Sequence, residues 1–412
     1  MEVVYARCAG IDVSKRDVKV CVRVQGAGSR RTSAKVTTWG SSMPQLVKLR
    51  AMLVTAGVQR VVMESTSDYW RPVFYVLGEQ LDVVLVQASA VKAIPGRKSD
   101  VSDAEWLADL AAHGLVRASF VPPEAQRQLR DLTRARARAL QDRVREVQRL
   151  EKDLEDACIK LSAVVSDLQG VSARLILDAL VAHENDPAVM AELAKGRLRS
   201  KIGLLTEALT GRFNDHHRFM VQFRLDRIDA ATADIDVLDR RIDDLIEDEH
   251  FAAARDLLLS VPGLGPRGAE ELVAEIGPDM AVFAGPQSLA CWAGVAPGSH
   301  ESAGKRKKVK ATPGNRYVKR SLGIAAKSVA RKKTGFLAAR FRRIAARRGY
   351  NKAVVATEHA MLTAIWHMLT DATAYRDLGT DYYTRRTPQR ELRRKIAALE
   401  AAGYTVVPAA AA

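Results

Sequence analysis

The chain has 412 residues, more than one core ordinarily fills, and its 47% hydrophobic and 27% charged content is that of a folded protein. It carries 64 lysines and arginines against 48 aspartates and glutamates, a net charge of +16, which makes a polyanion the first partner to consider. Residues 301–350 hold 17 of the basic residues against one acid, Glu301, so that segment carries the whole excess and the rest of the chain is balanced.

No run approaches the roughly 18 uninterrupted apolar residues that cross a bilayer; the apolar stretch from Ala353 to Leu369 is broken by Glu358, His359 and His367. The opening MEVVYARC lacks the basic-then-apolar order of a signal peptide. Cys8, Cys21, Cys158 and Cys291 lie far apart without metal-type spacing. They read as core thiols of a protein kept in a reducing cytoplasm.

Residues 1–121 alternate strand and helix signals. The runs YARCAGIDV, DVKVCVRV and AKVTTW predict strands, a helix follows from Met43 to Thr55, and VQRVVME and DVVLVQA flank a helix-like DYWRPVFYVLGEQL. Hairpin strands followed by strands separated by helices predict a mixed sheet in an α/β domain.

From Pro122 the period becomes helical. Leu140, Val144, Val147, Leu150, Leu154, Cys158, Leu161, Val165 and Leu168 form one stripe; Phe219, Phe223, Ile228, Ile235, Leu238, Ile242 and Leu245 form a second. The spacing predicts two long helices that pair with each other or make a dimer seam, across residues 122–250, with a shorter helical insert from Gly170 to Asp215. Residues 251–385 read as a mostly helical C-terminal domain. Within it, LLSVPGLGPRGAEELVAEIG is either a helix-hairpin-helix, whose glycines let turn amides approach a phosphate, or an ordinary helical corner. Residues 386–412 form a last helix and a tail.

Asp12 ends the first strand in GIDVSK, and Glu64 ends a later one in RVVMES. Asp100 and Asp103 follow in KSDVSDAEWLADL, where Ser102 and Glu105 make a capping box that starts a helix near Asp103. Like charges three apart repel, and a helix N-terminus offsets only about 0.3–1 kcal/mol of that. Four oxygen-donor acids suit Mg²⁺, which takes a few carboxylates and substrate phosphate. Strand Asp, hairpin, strand Glu and helix-start DxxD together resemble the RNase H-like nucleases of the RuvC type.

Over almost its whole length the chain resembles the DEDD transposases of bacterial insertion sequences, specifically the insertion sequence 110 family. The matching pieces are GIDVSK, MESTSDYW, KSDVSDAEWLA, EALTGRFNDHH, SVPGLGPRGAEEL and FAGPQSLACWAGVAPGSHESAGKRKK. The resemblance implies a RuvC-like catalytic domain holding Mg²⁺ on Asp12, Glu64, Asp100 and Asp103, joined through a coiled coil to a transposase domain with an essential serine. Pro297, His300, Ser302, Gly304 and Lys305 fall on that family's serine pattern, with Glu301 and Ala303 as departures, so Ser302 inherits the nucleophile role. It also implies a structured bridge RNA that pairs with donor and target DNA, and a homo-oligomer in which one subunit's acids meet another's serine.

Lys305, Arg306, Lys307 and Lys308 place positive charge beside Ser302, where a serine hydroxyl needs activation. Arg316, Lys319 and Arg320 in GNRYVKRSL are further candidates to grip phosphates. Arg127, Arg130, Arg134, Arg136, Arg138, Arg143, Arg145 and Arg149 crowd the first long helix with few local acids, a pattern that can track a nucleic-acid backbone. Two rivals remain at this point: a metal-only, junction-resolvase-like nuclease with a structural Ser302, and a non-catalytic nucleic-acid-binding protein.

Overall fold

In the computed structural model of the chain, residues 2–26, 31–65, 67–88, 91, 94, 102–247, 249–298, 301–302, 305–306, 314–386 and 388–407 are described. The chain divides into two compact units, Met1–Pro122 and Pro123–Ala412. None of the described helices is long and apolar enough to cross a membrane.

The first unit is a mixed sheet with helices on both faces, the α/β arrangement expected. Its strands are β1 (Arg7–Val13), β2 (Asp17–Val24), β3 (Ser33–Gly40), β4 (Arg60–Glu64) and β5 (Val83–Val86), in the order β3-β2-β1-β4-β5. β1 and β2 form an antiparallel hairpin closed by Ser14, whose hydroxyl donates to Asp17 Oδ1 at 2.6 Å. β3 extends it antiparallel, while β4 and β5 join parallel on the other side of β1. Because side chains alternate along a strand, Ile11, Val18, Val20, Val61 and Met63 face one way. They pack against Leu46, Leu49 and Leu53 of α1 (Met43–Thr55) and Val73, Val76 and Leu77 of α2 (Trp70–Gly78).

The other face carries Cys8, Val62, Val84 and Val86 against Trp106, Leu107, Leu110 and Ala111 of α3 (Asp103–Ala112). Here α3 lies almost on the backbone of β1. A Cβ on Gly10 would stand 2.1 Å from the Ala104 carbonyl oxygen and 2.2 Å from the Ala108 nitrogen, so only glycine fits beneath this helix. The Cys8 thiol donates to the Ala108 carbonyl at 3.2 Å, and burial pushes Cys8 and Cys21 up to about 11, leaving both thiols protonated and inert. Cys158 and Cys291 differ from expectation, since both are exposed rather than in a core.

The second unit starts with α4 (Glu124–Asp156), which packs against α9 (Asp215–Ile246). Contacts Arg136 to Asp239, Arg143 to Thr232 and Arg224 to Asp153 run in opposite chain directions, so the pair is antiparallel and lies within one chain. Part of each apolar stripe is thereby buried against the other helix and the insert. Leu150 and Leu154 share a core with Val221, Leu225 and Ile228 and with Ile176, Leu177 and Leu205 of the insert helices α6 (Val171–Val181) and α8 (Ile202–Leu209). The insert also contains the short helices α5 (Leu161–Val164) and α7 (Pro187–Glu192).

Two expectations fail in detail. The first stripe does not continue as one helix to Leu168: α4 ends at Asp156 and Cys158 turns back at φ +59°, with Arg212 N–H donating to the Ala157 carbonyl at 2.7 Å. The second stripe is rotated, because Val221, Leu225 and Ile228 are buried while Phe219 and Phe223 are 67% and 42% exposed.

The remaining helices are α10 (Glu249–Leu259), α11 (Pro266–Ile276), α12 (Pro286–Ala293), α13 (Arg316–Ala330), α14 (Phe336–Arg348) and α15 (Tyr350–Thr370), and they enclose one core with Leu129 and Ile242 of the long pair. α16 (Tyr382–Arg386) and α17 (Pro388–Ala401) follow. In the turn between α10 and α11, Gly263 has φ +88° and its missing side chain makes room for the Ala325 carbonyl of α13, 2.6 Å from where a Cβ would stand.

Gly10→Ala tests the close seat of α3. Overpacking a filled contact costs about 1–3 kcal/mol, so the transition of the first unit should move to lower denaturant by that amount in chemical unfolding of the full chain. An unmoved transition would contradict the contact.

Candidate active site

Asp12 and Glu64 reach the same end of the sheet for a reason of register. β1 and β4 run parallel, with Gly10 beside Val62 and Ile11 beside Met63, so the next step brings Asp12 alongside Glu64. Two residues on from Gly10 and Val62, both acids take the face that α3 covers. Asp103 is the first residue of α3, adjacent to the Ala104 carbonyl that touches Gly10. The helix start is fixed by a complete capping box: Ser102 accepts from Glu105 N–H at 3.3 Å, and Glu105 Oε2 accepts from Ser102 N–H at 3.0 Å. The register sets Asp12 alongside Glu64, and the helix cap sets Asp103 near enough for its charge to act on Asp12.

The electrostatics agree. Partial burial, then the negative charge of Asp103, holds the Asp12 carboxyl above its usual value, against the opposing pull of Lys19. Lys19 faces Asp12 across the hairpin; the alternation of DVKVCVRV carried the signal for it, and sequence reasoning passed over it. Asp100 lies outside the described residues. Among the described residues no set of three or more His, Cys, Asp or Glu side chains is gathered to hold a metal ion. The donor set at the rim nevertheless suits a divalent cation. Its oxygens are all carboxylate, and Asp12 and Asp103 repel each other, which a cation would relieve.

In the second unit, Glu301–Ser302 pairs antiparallel with Lys305–Arg306, so the backbone of Ser302 stands opposite that of Lys305. Lys307 and Lys308 lie outside the described residues.

The other expected basic contacts are largely engaged inside the unit. Arg134 makes two hydrogen bonds to Glu275, at 2.6 and 2.8 Å, and stacks on Tyr317 at 4.8 Å, with Arg316 on that ring at 4.9 Å. Glu275 is 1% exposed and also accepts from Asn315 Nδ2 at 2.7 Å. Arg320 bonds to Glu271, Arg130 to the Ala274 and Glu275 carbonyls, and buried Arg136 to Asp239 and Glu270. Arg138 is exposed on α4 and donates to the Arg134 carbonyl at 3.3 Å, and Lys319 lies on α13, where its charge acts on buried Glu358. Sequence reasoning missed the three acids of α11, Glu270, Glu271 and Glu275, as anchors; their place on an amphipathic helix within a basic region was the available sign.

Comparison with known families gives two matches. Residues 9–159 match the model of the DEDD transposases of the IS110 group, described as a transposase, and residues 255–341 match the one described as the transposase IS116/IS110/IS902 family. The first span contains Asp12, Glu64, Asp100 and Asp103, and the second contains Ser302. No curated protein matches the chain.

The raised Asp12 carboxyl gives a signed prediction. An ionised group held above its unfolded value of 3.8 costs the folded state stability once pH exceeds that value, and the cost disappears below it. In chelator, Asp12→Asn should therefore melt at a higher temperature than wild type at neutral pH, with the difference closing near pH 3.8. A variant that melts lower at neutral pH would show that Asp12 is not under this strain.

Proposed function

The chain belongs to the IS110 family of transposases, DNA-rearranging enzymes, and from that premise we propose an RNA-guided recombinase that cuts and rejoins DNA through the acids of residues 1–121 and Ser302 of residues 251–385. The observation that carries the proposal is the parallel register of β1 and β4, which sets Asp12 alongside Glu64, together with the charge of Asp103 acting on Asp12. A hairpin followed by parallel strands, with acids ending β1 and β4, supports reading this unit as RNase H-like, of the RuvC kind. Asp12, Glu64, Asp100 and Asp103 would hold Mg²⁺, which when bound neutralises phosphate charge.

The chain's own residues do the covalent work. The Ser302 oxygen forms a bond to a DNA phosphorus, the bond from that phosphorus to one strand's oxygen breaks, and the proton lost by serine is balanced by the one the leaving hydroxyl gains. The phosphoserine link conserves the phosphodiester's bond energy, so the second strand can reverse the step without ATP. Lys305, standing opposite Ser302 in the hairpin register, and Arg306, Lys307 and Lys308 supply positive charge for the phosphate.

The net charge of +16 supports nucleic-acid partners, which we take to be donor DNA, target DNA and a structured bridge RNA. Residues 122–250 serve as the coiled-coil linker and residues 386–412 as a terminal helix. The enzyme acts as a homo-oligomer in which the acids of one subunit serve the serine of another.

The test is a denaturing gel for a covalent protein–DNA adduct, with Mg²⁺, element-junction DNA and RNA from the flanking non-coding end. Wild type should form the adduct, and Ser302→Ala and Asp12→Asn should each abolish it. DNA cleavage without adduct, unchanged in Ser302→Ala, would replace the serine step with a metal-only nuclease.

A further inference from the structure

The positive charge of the second unit is only partly used inside it. Residues 331–352 hold nine lysines and arginines and no acid. Arg342 gives its two terminal nitrogens to the Lys332 and Lys333 carbonyls, at 2.8 and 3.0 Å, and Arg347 gives its Nε–H to the Arg343 carbonyl at 3.3 Å. These bonds go to backbone and leave the charge unneutralised. Among the described residues, Arg348 and Lys352 have no ion-pair partner, and both are exposed.

The corner between α14 and α15 concentrates this surplus. Arg347 and Arg348 end α14, Gly349 turns the chain at φ +86°, and Tyr350, Asn351 and Lys352 begin α15. The dipole of α14 favours cations at its C-terminal end, so Arg347 and Arg348 have a structural reason to be there. Lys352 has none, because it stands at the positive end of the α15 dipole and no acid in that turn offsets it. An anion held at the corner relieves the conflict. A side chain at Gly349 would meet nothing within 4 Å, so the turn is open.

The same corner offers a ring. Of the four aromatic residues in this basic region, Tyr317 lies under Arg134 and Arg316, Phe336 packs against Tyr382 and Tyr383, and Phe341 is in the core. Tyr350 is 51% exposed. Phe341 meets it in a T-shaped contact, centroids 5.3 Å apart and planes at 76°, which holds the ring at the surface.

We propose that this corner seats a single nucleic-acid strand, one unpaired base stacking on Tyr350 and the neighbouring phosphates lying against Arg347, Arg348 and Lys352. The choice of polyanion rests on the reading of the chain as a DNA-rearranging enzyme, whose strand exchange unpairs bases. A duplex keeps its base faces in its own stack and gives Tyr350 nothing to cover, whereas every unpaired base has a free face. A second copy docking here through a twofold contact would set the same unneutralised cations against each other.

Fluorescence anisotropy on the full chain tests both parts, comparing single-stranded oligothymidylate with an abasic strand of equal length over a series of salt concentrations. Wild type should prefer the thymidylate strand by about tenfold, the order expected for one stacked base. Tyr350→Leu, which keeps an apolar contact with Phe341, should remove most of that preference, and Tyr350→Trp should retain it. Arg348→Gln combined with Lys352→Gln should weaken both strands alike and keep the preference. It should also lower the slope of log affinity against log salt by about 0.7 for each charge removed. Equal binding of the two strands by wild type, or an unchanged preference in Tyr350→Leu, would overturn the base seat. An unchanged salt slope in the charge variant would overturn the phosphate contacts, and each of these results leaves the nucleic-acid reading intact. Binding of neither strand would overturn this inference together with the nucleic-acid partners proposed above.

Discussion

α3 can rest on the sheet only because Gly10 has no side chain, and the candidate site depends on that contact. The helix backbone comes so near β1 that a single methyl group would collide with Ala104 and Ala108. Cys8 and Cys21 flank the contact with small side chains, and Ala104 and Ala108 answer them from the helix. The approach sets where the helix begins, and the beginning is Asp103. A bulkier residue at position 10 would lift the helix and carry Asp103 away from Asp12, so backbone packing and acid placement are one property.

The second unit is organised by a different force. Its long helix α4 is rich in arginine, and three of those arginines reach the buried or carbonyl-rich side of α11, drawn by Glu270, Glu275 and the last carbonyls of that helix. Leaving one member of such a pair unpartnered in the interior costs about 3–5 kcal/mol, so the pairs hold α4 in a single orientation against α11. Asn315 then ties the start of α13 to the same Glu275 while capping its own helix through Tyr317 and Val318 N–H. The basic hairpin that carries Ser302 precedes this fixed helix start in the chain. Charge in this unit therefore has two uses, one internal and structural, the other left at the surface for a polyanion.

The strands, α1, α2 and the capping box at Ser102 were legible because local pattern decides them: alternation for strands, a Ser-x-x-Glu spacing for the cap. The pairing of Asp12 with Glu64 was legible only as a condition, since neighbouring strands cannot be read from either strand alone. The partners of the α4 arginines were not legible for a plain reason. Acids are scarce beside them in sequence, but Arg134 meets Glu275 across 141 positions and Arg136 meets Glu270 across 134, and a local count does not see such partners. The stop of α4 at Asp156 carried no proline or glycine at that point; it is set by the tertiary bond from Arg212. The exposure of Phe219 and Phe223 shows that a stripe drawn by eye can be off by part of a turn when Val221, Leu225 and Ile228 offer a competing face.

The role proposed for Asp12, Glu64 and Asp103 is to hold a divalent cation. It is tested most directly by titrating Mn²⁺ into the full chain and reading free ion by electron paramagnetic resonance, in wild type, Asp12→Asn and Ser302→Ala. Saturable binding in wild type and Ser302→Ala, with its loss in Asp12→Asn, is the predicted result. Binding of equal strength in wild type and Asp12→Asn would contradict it, because the ion would then be held somewhere other than the end of this sheet.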